Sequence, residues 1–145
     1  AVFFSKIYLG LGAQGLVQNL IASAVLNRYS FLILMLASYY ILGMFLDDAA
    51  ILFITVPLYV PLILALGFDP IWFGILFVLS MQSAYLTPPF GYNLFYMKAI
   101  VPPEITIIDI YRSVIPFVGL QILGLIIVII FPQIALWLPG KIFGY

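Results

Sequence analysis

An apolar run over residues 71–101 is broken in its middle by Leu86-Thr87-Pro88-Pro89-Phe90-Gly91-Tyr92-Asn93, and this break restricts the fold more than any other stretch. Two adjacent prolines withdraw two amide donors and push the residue before each out of helical conformation, so carbonyls upstream lose their intrahelical partners. Hydrocarbon cannot satisfy those carbonyls. Irregular backbone at bilayer depth persists only where protein or a wet cavity covers it, and discontinuous helices of this kind hold ions or substrates in transporters. Each half, 71–85 and 90–101, is too short to span alone.

Composition identifies the solvent as lipid. Hydrophobic residues make up 66% of the chain and charged residues 7%, and mean hydropathy is +1.29. A soluble domain carries about 25% charged residues, because most of a folded surface must face water. Five basic and five acidic residues cancel, which leaves no electrostatic basis for binding nucleic acid. Without cysteine or histidine there is no disulfide framework, thiolate nucleophile, histidine base or ordinary zinc or haem site. The chain opens Ala1-Val2-Phe3-Phe4-Ser5-Lys6, without methionine or a signal-peptide pattern. At about 20 residues per span, its length allows four or five membrane segments. The expectation is one membrane domain over 1–145 that is a piece of a longer protein.

Along the chain, residues 1–30 mix Gly10, Gly12, Gly15, Gln14, Gln18 and Asn19 with apolar positions and read as an interior or interfacial helix. Asn27-Arg28-Tyr29-Ser30 supplies a charge, a belt aromatic and a cap. Residues 31–66 read as a re-entrant hairpin. The first arm, 31–46, reaches only about 24 Å at 1.5 Å per residue, and Asp47-Asp48 follows it directly. Two ordinary spans are the alternative. Gly67-Phe68-Asp69-Pro70 marks a turn, Trp72 an interface, and Pro102-Pro103-Glu104 the end of the broken helix over 71–101. Residues 105–112 alternate in polarity like a surface connector, and 114–131 reads as the one conventional transmembrane helix, with Pro132, Trp137, Pro139 and Lys141 at its far interface. Lys98 and Arg112 lie on one side of that helix and Lys141 on the other, which favours a cytoplasmic loop over 98–113. The fold class is therefore an all-α integral membrane protein, built from a helical hairpin and a broken transmembrane helix.

Asp47 and Asp48 are the only adjacent acids. On a helix they diverge by about 100°, so they would not share a proton. One reading turns a carboxylate toward a partner, cavity or ion. The other makes it the N-cap of the second arm. Thr87 to Asn93 offers a hydroxyl, freed carbonyls, a glycine permitting close approach and an amide side chain. Hard cations choose such oxygens, while amides at the start of a half-helix favour an anion. The mechanical alternative is a plain proline kink, against which stand the polar Ser80, Gln82 and Ser83 just upstream. Gly43 lets two hairpin arms approach or frees a carbonyl at their tip, with packing the simpler role. Pro57 and Pro61 kink one face of a helix, and Tyr92 and Tyr96 serve packing or the belt. Channel and scaffold readings remain open, as does an intramembrane aspartyl enzyme, though such an enzyme needs two carboxylates converging from separate elements.

Gly43-Met44-Phe45-Leu46-Asp47, Thr55-Val56-Pro57-Leu58-Tyr59-Val60-Pro61, Leu66-Gly67-Phe68-Asp69-Pro70-Ile71-Trp72-Phe73-Gly74 and Leu86-Thr87-Pro88-Pro89-Phe90-Gly91 occur in this order. Asp109-Ile110-Tyr111-Arg112, Pro116-Phe117, Phe131-Pro132 and Leu136-Trp137-Leu138-Pro139 follow. Over about residues 30–140 the series resembles the C-terminal portion of the large membrane subunit of tripartite ATP-independent periplasmic (TRAP) transporters. The resemblance implies one of two inverted repeats of an ion-transporter fold, an elevator-like motion, and multi-pass residence in a bacterial or archaeal cytoplasmic membrane. It implies import of a small organic acid, such as a dicarboxylate, coupled to sodium, with no cofactor beyond that ion. Its partners would be a small membrane subunit, an extracytoplasmic solute-binding protein, the remainder of the large subunit and lipid. Sodium would lie near Gly43, Asp47, Leu86, Thr87, Pro88 and Gly91, and substrate near Thr87, Pro89 and Asn93. Asp48 departs from the small or aromatic residue common in relatives. The continuation Phe90-Gly91-Tyr92-Asn93-Leu94-Phe95-Tyr96 looks closest to the branch associated with mannitol, chloroaromatic and 2-oxo acid uptake.

Overall fold

Most helix ends in this chain are decided by one or two nearby residues. In the computed structural model, which describes residues 27–88 and 91–144, six helices follow in order: α1 (Arg28–Gly43), α2 (Asp48–Ala65), α3 (Pro70–Ala84), α4 (Tyr92–Ile100), α5 (Ile107–Ile130) and α6 (Gln133–Phe143). The interior or interfacial helix expected over 1–30 falls almost wholly outside the described residues, as does Pro89. No strand occurs among the described residues.

Asp47 caps α2 by accepting from Ala50 N at 2.8 Å. Gly67 ends that helix in left-handed conformation at φ 73°. There Phe68 N donates to Ile63 O and Gly67 N to Leu64 O, the paired bonds of a Schellman stop. Asp69 Oδ1 then accepts from Ile71 N and Trp72 N, with Pro70 as the first helical residue, so the turn launches α3 at once.

The start of α5 differs from the sequence expectation. Residues 107–112 are not a surface connector; they form the first turns of the helix, which therefore begins about two turns before residue 114. The cause is local. Thr106 and Asp109 form a reciprocal capping box: Asp109 N donates to Thr106 Oγ1, and Asp109 Oδ2 accepts from Thr106 N. The stretch after Pro132, expected only to mark an interface, winds into α6.

The core lies between α1, α2 and α3. Tyr39 stacks edge-on against Tyr59 and Phe77, with ring centres 5.2 and 4.7 Å apart, and lies 5.8 Å from Phe73. Leu32, Met35, Ile51, Ile63 and Leu76 fill the space around these rings. Trp72 ties α3 to α5 by donating from Nε1 to Val128 O at 2.9 Å. That bond sets the beginning of α3 beside the end of α5, so these two helices run antiparallel. Arg28 packs over Phe68 while Gly43 meets Ala84, so α1 and α3 run parallel and stop together.

Levels along the bundle follow from these pairings. From Trp72 to Ala84, α3 rises about 18 Å, whereas α5 continues about 32 Å from Val128 back to Ile107. The tip between α1 and α2, and the end of α3, thus stop well short of the beginning of α5. Both α2 and α5, at 18 and 24 residues, are long and apolar enough to cross a membrane, and few of their residues are buried within the chain. Arg28 lies at the same end as Lys141, while Lys98 and Arg112 lie at the other. Among the described residues the basic charges are even between the two ends, which removes the orientation preference drawn from the sequence.

Candidate functional site

The end of α3 is where polar groups gather inside an otherwise apolar bundle. Ser80 and Ser83 are fully buried, and each hydroxyl donates back to the carbonyl four residues earlier, Leu76 O and Leu79 O. Thr87 repeats the pattern, donating from Oγ1 to Ser83 O at 2.8 Å. The helix tightens as it fails: Leu86 N reaches Ser83 O and Thr87 N reaches Ala84 O. Beyond this point the carbonyls of Leu86, Thr87 and Pro88 accept no hydrogen bond among the described residues. The sequence stops supplying donors here because Pro88 has none to give.

On the far side of the break, Gly91 is buried and caps α4 in left-handed conformation, at φ 48° and ψ 67°. Only glycine takes this position without strain. A Cβ there would also lie 2.9 Å from Leu94 Cδ1 and 3.5 Å from the Thr87 carbonyl oxygen, which places Gly91 beside the other end of the break.

Gly43 is buried at the end of α1 and has a packing role, the simpler of its readings, although its partner is not the second hairpin arm. A Cβ on residue 43 would lie 2.8 Å from Ala84 Cβ and 3.0 Å from Met81 Cε, so the glycine seats the tip of α1 on the last turn of α3. One turn earlier on α1, Tyr40 OH lies 3.3 Å from Thr87 Oγ1. Tip and break are therefore one location. Past this point, the carbonyls of Gly43 and Met44 accept no backbone hydrogen bond outside regular helix among the described residues.

The two adjacent acids do not form a dyad. Asp47 Oδ1 is held by Ala50 N and Asp48 Oδ1 by Ala49 N, and both residues are exposed at the start of α2. Among the described residues no three acidic side chains cluster in a way that could hold a metal ion.

Two cavities open beside the break. One, of ≈ 240 Å³, is lined by Leu86, Thr87 and Pro88 on one wall and by Tyr111, Arg112 and Ile115 of α5 on the other. The second, of ≈ 330 Å³, is lined by Asp48, Gln82, Tyr85 and Asn93 among others. Thr87 and Asn93, grouped by the sequence reading around one substrate, thus line different cavities. Asp48, Tyr40 and Arg112 were not assigned to the site from sequence. Asp48 carried a visible signal, since an acid beside the N-cap projects from the first turn toward whatever packs there. Tyr40 and Arg112 carried none, because their nearness to Thr87 depends on tertiary packing.

Comparison with known proteins bears on the family. The family described as "Tripartite ATP-independent periplasmic transporter, DctM component" matches residues 2–134. The chain is 35% identical over 122 residues to the C4-dicarboxylate TRAP transporter large permease protein DctM of Vibrio cholerae, covering 84% of this chain and 26% of that protein. It is 35% identical over 104 residues to the sialic acid TRAP transporter large permease protein SiaM of the same organism, covering 72% and 24%. It is 34% identical over 112 residues to the ectoine TRAP transporter large permease protein TeaC of Halomonas elongata, covering 77% and 26%. The chain spans about a quarter of the length of these relatives. With most of its length matched by a family of transporter components rather than of enzymes, the chain belongs to the DctM family of TRAP transporter components.

Proposed function

We propose that this chain forms the ion- and substrate-holding part of a sodium-coupled TRAP large permease that imports a small organic anion. The observation that carries the reading is the contact of Gly43 with Ala84, which sets a hairpin tip against a broken helix at one level inside an apolar bundle. In this reading residues 31–66 enter and leave the membrane on the same side, and the chain supplies one of two inverted repeats. Sodium is held by oxygens around Gly43, Asp47, Leu86, Thr87, Pro88 and Gly91. The carbonyls of Leu86, Thr87 and Pro88, which accept no hydrogen bond among the described residues, support this, since a small hard cation replaces its water with such oxygens.

The substrate lies near Thr87, Pro89 and Asn93, spanning the two cavities beside the break, with Arg112 supplying positive charge in the one that Thr87 lines. Relatives named for C4-dicarboxylates and sialic acid support a carboxylate-bearing substrate. The rest of the large subunit, a small membrane subunit and an extracytoplasmic solute-binding protein complete the transporter in a bacterial or archaeal cytoplasmic membrane. The test is organic-acid uptake by the full-length permease with these partners in proteoliposomes, under an inward sodium gradient and under an equimolar potassium gradient. Uptake only with sodium is the expected result. Equal uptake with both ions would remove the sodium assignment.

A further inference from the structure

The end of the bundle away from the break carries two adjoining cavities, of ≈ 260 and ≈ 520 Å³, which share Asp69 and Leu136. Arg28 lines the first and Lys141 the second, and each cavity has a tryptophan in its wall, Trp72 and Trp137. The Arg28 guanidinium is held by aromatic rings, 4.9 Å from the centre of Tyr29 and 5.4 Å from that of Phe68, and its Nη2 donates to Tyr29 OH at 3.1 Å. Among the described residues neither Arg28 nor Lys141 makes an ion pair. The one acid present, Asp69, is committed elsewhere: its Oδ1 accepts from Ile71 N and Trp72 N, where the dipole of α3 offsets its charge.

The second cavity is walled by α6, which at 11 residues rises about 16 Å and is too short to cross a bilayer. Its Ile134, Trp137, Leu138 and Ile142 are exposed beside Lys141. Exposed aliphatic and tryptophan side chains next to a lysine, on a short helix following a transmembrane span, suit the headgroup layer. A preformed basic cleft in that layer is complementary to a phosphate ester.

We infer that the joined cleft binds the headgroup of an anionic phospholipid, with Arg28 and Lys141 contacting the phosphate from its two sides. The acyl chains continue along the exposed Ile130 of α5. The site is independent of the transport reading and requires only that the chain lies in a membrane.

The experiment is native mass spectrometry of the full-length permease released from bilayers containing equal phosphatidylglycerol and phosphatidylcholine. Phosphatidylglycerol is expected to be retained preferentially. Arg28→Gln and Lys141→Gln should each reduce the preference by about fivefold, from the usual contribution of one basic residue near a lipid surface. The conservative pair Arg28→Lys and Lys141→Arg should keep most of it, which separates charge from misfolding. Asp69→Asn preserves the helix cap and removes the opposing charge, so it should strengthen the preference. Equal retention of the two lipids would overturn the inference, and would mean that other parts of the permease fill the cleft. So would a preference unaffected by the glutamine substitutions, or displacement of phosphatidylglycerol by inorganic phosphate, which would make the cleft a soluble-anion site.

Discussion

Gly43 and Ala84 approach so closely that a β-carbon on residue 43 would lie 2.8 Å from that of Ala84. Backbone and β-carbon cannot yield as a flexible side chain can, so Gly43→Ala should separate the tip of α1 from α3. Overpacking of this kind costs about 1–3 kcal/mol, more than the roughly 0.5–1 kcal/mol that alanine returns in helix propensity. Ala84→Gly in the same molecule should restore the fit. Thermal unfolding of the full-length permease in detergent is the measurement, and a double variant no more stable than Gly43→Ala would disprove the contact as the cause.

Thr87 spends its hydroxyl hydrogen on Ser83 O, which leaves the oxygen's lone pairs directed toward Tyr40 OH and the break. Thr87→Ser keeps this oxygen and should transport nearly as the parent does. Thr87→Val keeps the shape and removes it, and should raise the sodium concentration for half-maximal uptake about tenfold, as loss of one bond to a charged group does. Tyr40→Phe, which loses a contact of 3.3 Å, should change uptake little. Unchanged sodium dependence in Thr87→Val would exclude this oxygen as a ligand.

Asp47 combines a cap with a charge, and two substitutions separate them. An asparagine side chain at this position would still accept from Ala50 N, so Asp47→Asn should leave the melting temperature unchanged while weakening sodium activation severalfold. Asp47→Ala should lose both, at about 1 kcal/mol of stability for the cap. If Asp47→Asn transports with unaltered sodium dependence, the carboxylate is a cap and nothing more.

Trp72 joins α3 to α5 through a single side-chain bond, from Nε1 to Val128 O. Trp72→Phe keeps most of the buried ring and removes the donor. The expected loss is about 0.5–1.5 kcal/mol, read as a lower melting temperature with sodium-coupled uptake retained. Loss of uptake at unchanged stability would show that this tryptophan acts in transport instead.

What the residues disclose about this fold is mostly what neighbours in sequence decide. The stop at Gly67, the launch of α3 from Asp69-Pro70 and the failure of the helix at Thr87-Pro88 each depend on capping or on a missing donor within a few residues. The start of α5 was equally local, in the Thr106 and Asp109 box, but the alternation of polar and apolar residues over 105–112 suggested a connector instead. Bilayer-facing chemistry was legible in the scarcity of charge. The partner of Gly43 was not, because a helix tip presents the same glycine whether α2 or α3 lies against it. For the same reason Thr87 and Asn93 looked adjacent along the chain, yet Thr87 lines the cavity against α5 and Asn93 the one that Asp48 lines.

The common stopping level of α1 and α3 also has an electrical meaning. That level is about 18 Å from Trp72, while the full hydrocarbon layer is about 30 Å thick. A monovalent cation held there, as proposed, would have passed through part of the membrane field and have the remainder still to cross. The whole passage is worth about 2.3 kcal/mol per 100 mV. Arrival at the break would therefore take one share of that energy and departure the other, so occupancy as well as turnover would respond to voltage. A helix that ends early would then divide the driving force into two steps.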